Sequence, residues 1–208
     1  MNDLQLTVEI AHDYLCPWCW IGLFHAKRLA VDFPQIAQRW IGYELLPESL
    51  GPLPDFKPAP KDPSAPPSRL ELLSALDNIP IPQDRTIGIV RTHDALQGAE
   101  FFSVNAPDKF DRYNEGVYRA FWERSEDISD IVVLTRLAAA AGADADLFSH
   151  SLLSKEFSDK VVPFDEPAYA LGVTHVPTFR FRGEQCAEAP YATIKEMAER
   201  YLAWFGPK

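Results

Sequence analysis

Cys16-Pro17-Trp18-Cys19 is the constellation in this sequence whose residue types and spacing specify a chemistry. Two thiols three residues apart share one face of a helix. A sulfur bonded at the first can then be reached by the second, which is the geometry of thiol–disulfide exchange. The opening turn of a helix offers unpaired N–H groups and a partial positive charge. Both stabilise a thiolate, and the thiolate is the nucleophile. Pro17 at the first helical position gives up a donor that would be unpaired there anyway. Cys16 is therefore the expected nucleophile, Cys19 the resolving thiol, and Pro17 and Trp18 the substrate contacts beside them.

Plainer readings of the pair are weaker. A structural disulfide across four residues would close a tiny loop, add little stability and not persist in a reducing compartment. Half of a zinc site would need two more ligands, and Cys186 with one of the five histidines is the available stock. No second C-x-x-C and no paired-histidine spacing exists. Cys186 itself reads as a small buried hydrophobe, with a third exchangeable thiol as the sharper alternative. His12 could approach Cys16, although a turn histidine satisfied by backbone is the simpler expectation.

The pair needs a strand before it and a helix beneath it. Leu4-Gln5-Leu6-Thr7-Val8-Glu9-Ile10 alternates apolar and polar, the period of a half-buried strand. His12–Leu15 reads as a turn, and from Cys16 to about Asp32 the apolar residues Trp20, Ile21, Phe24, Ala26 and Leu29 recur at helical spacing. A second strand, Arg39–Leu46, is stopped by Pro47. Strand, helix and strand in so short a span make a right-handed crossover and hence a parallel pair.

Between Pro47 and Pro67 lie eight of the chain's 18 prolines. Proline lacks the N–H that either ladder needs, so this is an extended surface connection. Helices are expected at Ser68–Asp77, His93–Phe102, Lys109–Glu123, Asp130–Ala141 and Asp144–Ser151, with Ser129 capping the fourth and Gly142 stopping it. A short helix Pro167–Leu171 ends at Gly172. A strand Val176–Phe181, a turn at Gly183-Glu184, a strand around Cys186 and a helix opened by Pro190 in its first turn complete the chain. The layout is α/β: residues 1–50 form the first half of a helix-on-sheet core, 51–67 a proline-rich connection, 68–160 a helical insertion and 161–208 the second half.

Composition narrows the rest. With 208 residues, 47 % apolar and 24 % charged, the chain is an ordinary globular protein large enough to bury a core without staples. A net charge of −10 repels phosphate backbones and anionic headgroups, so neither nucleic acid nor a membrane surface is an expected partner. No run approaches the ~18 apolar residues of a membrane span. The N-terminus lacks the basic and apolar regions of a signal peptide, which makes the cytoplasm the expected location. Without G-x-S-x-G, G-x-x-x-x-G-K-[ST] or G-x-G-x-x-G, serine hydrolase, P-loop and dinucleotide readings lack support.

Asp13-Tyr14-Leu15-Cys16-Pro17-Trp18-Cys19-Trp20-Ile21-Gly22, with Ala170-Leu171-Gly172-Val173-Thr174-His175-Val176-Pro177-Thr178-Phe179 far downstream, resembles the DsbA-like thioredoxin oxidoreductases. Within them it is most similar to the FrnE-like cytosolic dithiol–disulfide oxidoreductases, which Ser125–Asp130 and Leu45–Pro47 also resemble. The resemblance spans nearly the whole chain. It implies a thioredoxin fold interrupted by an all-helical insertion. It implies a redox-active cysteine pair with no cofactor, glutathione or another small thiol being a candidate co-substrate. The implied partner is a thiol or disulfide substrate, protein or small molecule, met by a monomer or a homodimer. Pro177 matches the family's cis-proline, and Val176 beside it would hydrogen-bond a substrate chain like an added strand.

Departures from the family pattern carry expectations of their own. His175 stands where glycine is usual, as a ring that could support the Cys16 thiolate, narrow the substrate groove, or stand exposed in a loop. Gln185–Pro190 replaces a glycine-rich turn, so Cys186 inherits no role. Trp18 is uncharged where some relatives carry histidine, which predicts a less oxidising couple than theirs. The groove between insertion and core, apolar and rimmed by Trp18, is the expected binding site. Two readings from other classes stay open. One is a glutathione-dependent isomerase or transferase, of the 2-hydroxychromene-2-carboxylate isomerase or kappa type, whose members usually carry serine at the nucleophile position. The other is a non-enzymatic binding module with a redox-sensing pair.

Overall fold

The computed structural model describes residues 6–53 and 64–206. Leu4 and Gln5 of the expected first strand, and residues 54–63 of the proline-rich connection, lie outside them. β1 (Leu6–His12), α1 (Pro17–Asp32) and β2 (Ile36–Glu44) form the parallel crossover, with Ile10 opposite Trp40 and His12 opposite Gly42. After five helices, α2 (Arg69–Asp77), α3 (His93–Asn105), α4 (Phe110–Trp122), α5 (Ile131–Ala141) and α6 (Ala145–Leu153), the chain returns as β3 (Val162–Pro163). Then follow α7 (Glu166–Ala170), β4 (Thr178–Phe181), β5 (Glu184–Ala187) and α8 (Tyr191–Phe205). The sheet order is β3-β2-β1-β4-β5, with β4 antiparallel to β1 and β5 antiparallel to β4. This is a thioredoxin fold with a helical insertion.

The period-two pattern explains which side is covered. Val8, Ile10 and His12 of β1, Trp40 of β2, and Phe179 and Phe181 of β4 share one face and are buried under α1 and α8. On the opposite face Glu9 pairs with Arg39 and Arg180, both partly exposed. Gly42 lets the insertion onto the covered face, because a Cβ there would meet the Leu96 side chain of α3 at 3.0 Å. Core and insertion share one apolar interior, from Trp20 and Leu29 to the stacked rings of Phe102 and Tyr113. Among the described residues no helix is long and apolar enough to cross a membrane.

Local hydrogen bonds decide where the elements depart from the sequence expectations. β2 stops at Glu44 because the Leu45 N–H turns out of the ladder to Asp13 Oδ2 (2.6 Å). β4 starts at Thr178, since Pro177 has no N–H and the Val176 carbonyl accepts from the Cys16 thiol. The cap of α5 is Asp130, which accepts from the Val132 N–H (2.8 Å), because the Ser129 N–H and hydroxyl are both turned back to Asp127 Oδ1. Gly142 does end α5, at φ 94°. Pro190 is the extended residue before α8 and not part of its first turn; Asp77 Oδ2 accepts the Tyr191 N–H instead (3.0 Å). β3 has two residues, too few for any period to register.

Candidate active site

Cys16 is the N-cap of α1, and Pro17 opens the helix. The preceding loop turns tightly enough for the Cys16 N–H to reach the Asp13 carbonyl (3.2 Å). Cys16 Sγ, as a thiol, donates to the Val176 carbonyl at 3.2 Å across 160 residues of sequence. The Val176–Pro177 peptide bond is cis. Pro177 comes this close because Gly22 faces it: a Cβ on Gly22 would lie 3.0 Å from the Pro177 ring. The motif glycine one turn beyond Cys19 thus seats the proline loop against the cysteine helix.

All three cysteines are free thiols. Cys16 keeps 6 % exposure and Cys19 none, so a substrate meets Cys16 first. Burial pushes the Cys19 thiol well up, and its hydrogen bond with Cys16 adds to the shift. Cys186 lies on β5 opposite Phe179, half-buried against the core, and burial pushes it up to about 11. That environment suits a packed hydrophobe and opposes a third exchangeable thiol. Among the described residues no group of three or more His, Cys, Asp or Glu side chains could hold a metal ion.

Trp18 is half-buried, with the Arg69 guanidinium 5.1 Å over its ring. Arg69 is gripped in turn by Glu188, through Oε2 (3.1 Å) and the carbonyl (3.4 Å). Glu188 holds a left-handed φ of 47° while its N–H donates to the Pro177 carbonyl (3.1 Å). Trp18, Arg69, Glu188 and Pro177 thus form one continuous rim beside Cys16. Pro17 is half-buried at the same opening. His175 is exposed, its ring 3.1 Å from the Thr174 hydroxyl and its carbonyl accepting from the Thr178 hydroxyl (2.6 Å).

Beneath the loop lies a buried polar cluster. The Asp13 carboxylate accepts from the Leu15 N–H (2.8 Å), the Leu45 N–H (2.6 Å) and the Thr92 hydroxyl (3.1 Å), joining the redox loop to β2 and to the start of α3. Burial pushes Asp13 up to about 6 despite those three donors. His12 ends a strand and is not a turn residue; its ring packs edge-on against Trp40 and Tyr14, and Nδ1 lies 3.0 Å from the Tyr118 hydroxyl. Burial pushes His12 down to about 3, so it stays neutral. From α4, Asn114 Oδ1 accepts from the Tyr14 hydroxyl (2.9 Å), and Trp122 Nε1 donates to the Tyr14 carbonyl (2.9 Å). The sequence reading missed Asp13, Tyr118, Arg69 and Glu188. Its available signal was the four-residue spacing of Asn114, Tyr118 and Trp122, which puts them on one helix face.

A cleft of about 730 Å³ does lie between core and insertion, but its position and character correct the expectation of an apolar groove at the cysteines. It runs over Trp40 and Phe110, is edged by Arg39, Glu100, Asp111 and Lys160, and takes no wall from the redox loop.

Residues 7–201 match the family described as DSBA-like thioredoxin domain. The chain is 27 % identical over 180 residues to the uncharacterized protein YwbO of Bacillus subtilis, covering 85 % of this chain and 86 % of that one. A probable DsbA oxidoreductase of Streptomyces coelicolor superimposes with a TM-score of 0.71 at 19 % identity, over 95 % of this chain and 90 % of the other. BdbD of Bacillus subtilis gives 0.61 at 16 % identity, over 98 % and 90 %. A 2-hydroxychromene-2-carboxylate isomerase gives 0.65 at 16 % identity, over 96 % and 97 %.

Proposed function

The chain belongs to the DSBA-like thioredoxin domain family, and we propose that within it this protein is a thiol–disulfide oxidoreductase working through Cys16 and Cys19. The observation that carries this is the placement of Cys16: it caps a helix, retains exposure and faces the Val176 carbonyl at 3.2 Å, with a second, buried thiol three residues on. Unpaired N–H character and the positive end of α1 favour negative charge at that sulfur.

The reaction follows in two steps. The Cys16 thiolate attacks a substrate disulfide, forming a mixed disulfide and releasing one substrate thiolate. Cys19 then attacks the Cys16 sulfur, so that the protein holds the Cys16–Cys19 disulfide and the second substrate sulfur leaves reduced. Two electrons have passed to the substrate; the reverse sequence oxidises a dithiol. Val176 offers main-chain groups to an extended substrate beside the sulfur, and Pro17, Trp18 and His175 are the proposed contacts around it. The cysteine pair serves as the redox group without a further cofactor, and glutathione or another small thiol regenerates it. Retention of both thiols, in place of the serine usual in the isomerase and kappa-type transferase classes, favours exchange over glutathione addition.

The test is catalysis of disulfide reduction in insulin by dithiothreitol, together with trapping. Cys16→Ser is expected to abolish turnover. Cys19→Ser is expected to accumulate a mixed disulfide on Cys16. Full turnover by Cys16→Ser would overturn the assignment.

A further inference from the structure

The cleft between core and insertion receives no wall from the redox loop and has its own chemistry. A smaller cavity of about 210 Å³ adjoins it, walled like the cleft by Trp40 and Asp111, and reaches Asn114 of α4. Buried donors normally find acceptors, an indole N–H included. Trp20 and Trp122 place theirs on the Pro80 and Tyr14 carbonyls, at 2.9 Å each. Trp40, only 5 % exposed, finds no acceptor for its own among the described residues. Asn114, 1 % exposed, accepts from the Tyr14 hydroxyl at Oδ1 (2.9 Å) and has no partner for Nδ2. Neither nitrogen is sealed inside the protein, so both open on the space that their residues wall.

The charges around the same space do not balance. Each basic residue has its own partner: Lys27 holds Glu115 (2.8 Å), Arg39 holds Glu9 (3.2 Å) and Lys160 holds Asp159 (3.6 Å). Glu100 of α3 and Asp111 of α4 have neither an ion pair nor a hydrogen bond among the described residues, and both line the cleft. Burial pushes both carboxyls up. Arg39 and Lys160 oppose the rise at Glu100; Lys27 opposes it at Asp111, where Glu115 adds to it. Two uncompensated carboxylates therefore stand over the aromatic floor of Trp40 and Phe110, with two unused N–H donors further in.

We propose that this cleft is a binding site for a small amine that has an apolar body and an oxygen acceptor at its far end. The ammonium sits against Glu100 and Asp111, supplying the charge that they lack. The body covers Trp40 and Phe110, whose ring faces also attract a cation. The oxygen accepts from the N–H groups of Trp40 and Asn114. The site is independent of Cys16 and Cys19, so it stands or falls apart from the exchange reading.

The experiment is isothermal titration calorimetry of the full chain with three matched probes. Tyramine carries the amine, the ring and a phenol oxygen, and is expected to bind with a Kd below about 1 mM. Phenethylamine lacks the oxygen and should bind about fivefold more weakly, because the two donors stay unpaired. Phloretic acid puts a carboxylate where tyramine has its ammonium and should bind at least about tenfold more weakly. Glu100→Gln keeps the side chain's shape in the middle of α3, removes its charge, and should weaken tyramine about tenfold. Asp111→Asn should do the same; it lies in the first turn of α4, where a negative charge also favours the helix, so Glu100→Gln is the cleaner variant. Glu196→Gln on α8, which does not line the cleft, should bind tyramine with the parent affinity. Tyramine binding weaker than about 1 mM would overturn the proposal. So would equal affinity for either of the other probes, or parent affinity in Glu100→Gln.

Discussion

Asp13→Asn preserves the shape of the buried carboxyl behind the redox loop and removes its titration. The Leu15 and Leu45 N–H groups bond opposite oxygens of Asp13, at 2.8 and 2.6 Å. An amide has one oxygen, so its NH2 must face one of those donors. The unpaired N–H that results costs about 1–3 kcal/mol at every pH. A second effect depends on pH. Burial pushes Asp13 up to about 6, opposed by the Leu45 and Leu15 N–H groups and the Thr92 hydroxyl, with Glu44 adding to the rise. An aspartate in the unfolded chain titrates near 3.9, so the folded protein holds this proton more tightly. The stability it contributes is complete below pH ~4 and is lost as the pH rises through ~6, a change of about 3 kcal/mol. His12 slopes the other way, since burial pushes it down to about 3, but it is present in both proteins and cancels in their difference. Urea unfolding of parent and variant from pH 4 to 7.5 measures that difference. The parent's advantage should shrink by about 2 kcal/mol between pH 4 and 7, the rest of the change lying below pH 4. A gap that stays constant across the range refutes the reasoning.

Other sites give sharper single readings. Gly22→Ala forces a Cβ to within 3.0 Å of the Pro177 ring; it should lose about 1–3 kcal/mol and slow exchange by shifting Val176 from Cys16, and unchanged kinetics would contradict that seating. Cys186, pushed up to about 11 by burial, should alkylate more slowly than Cys16 in the native protein, and Cys186→Ser should leave exchange at the parent rate. Asp77 Oδ2 holds both the His25 ring (2.9 Å) and the Tyr191 N–H at the start of α8 (3.0 Å). Asp77→Ala should therefore lose about 1–3 kcal/mol in denaturant unfolding, and no loss would show that the junction of α1, α2 and α8 does not depend on it.

The legible parts of this protein are those with a period or a punctuation mark. Trp20, Ile21 and Leu29 announce α1 by helical spacing, and Gly142 ends α5 where a left-handed residue is needed. The cysteine pair was legible because its chemistry is local. What was not legible came from contacts across long stretches of sequence. Nothing near Leu45 says that its N–H belongs to Asp13, 32 residues earlier, and so the sequence pattern carries the end of the strand two residues too far, to Leu46. His12 looks like a turn residue until Gly42 is set opposite it and Tyr118, 106 residues on, faces its ring. Arg69 reads as the start of a surface helix; only the fold brings it over Trp18 and onto Glu188. The expected apolar groove failed for a related reason. The sequence separates core from insertion, but the cleft between them opens over Trp40, whose neighbours are set by the register of β2.

The most direct test is an equilibrium titration of the purified protein against mixtures of reduced and oxidised glutathione, with free thiols alkylated and the product weighed by mass spectrometry. The account predicts a reversible two-electron transition in which Cys16 and Cys19 are protected together while Cys186 stays alkylatable throughout. Protection of Cys186 in step with Cys16, or a pair that remains fully alkylated at every ratio, would contradict it.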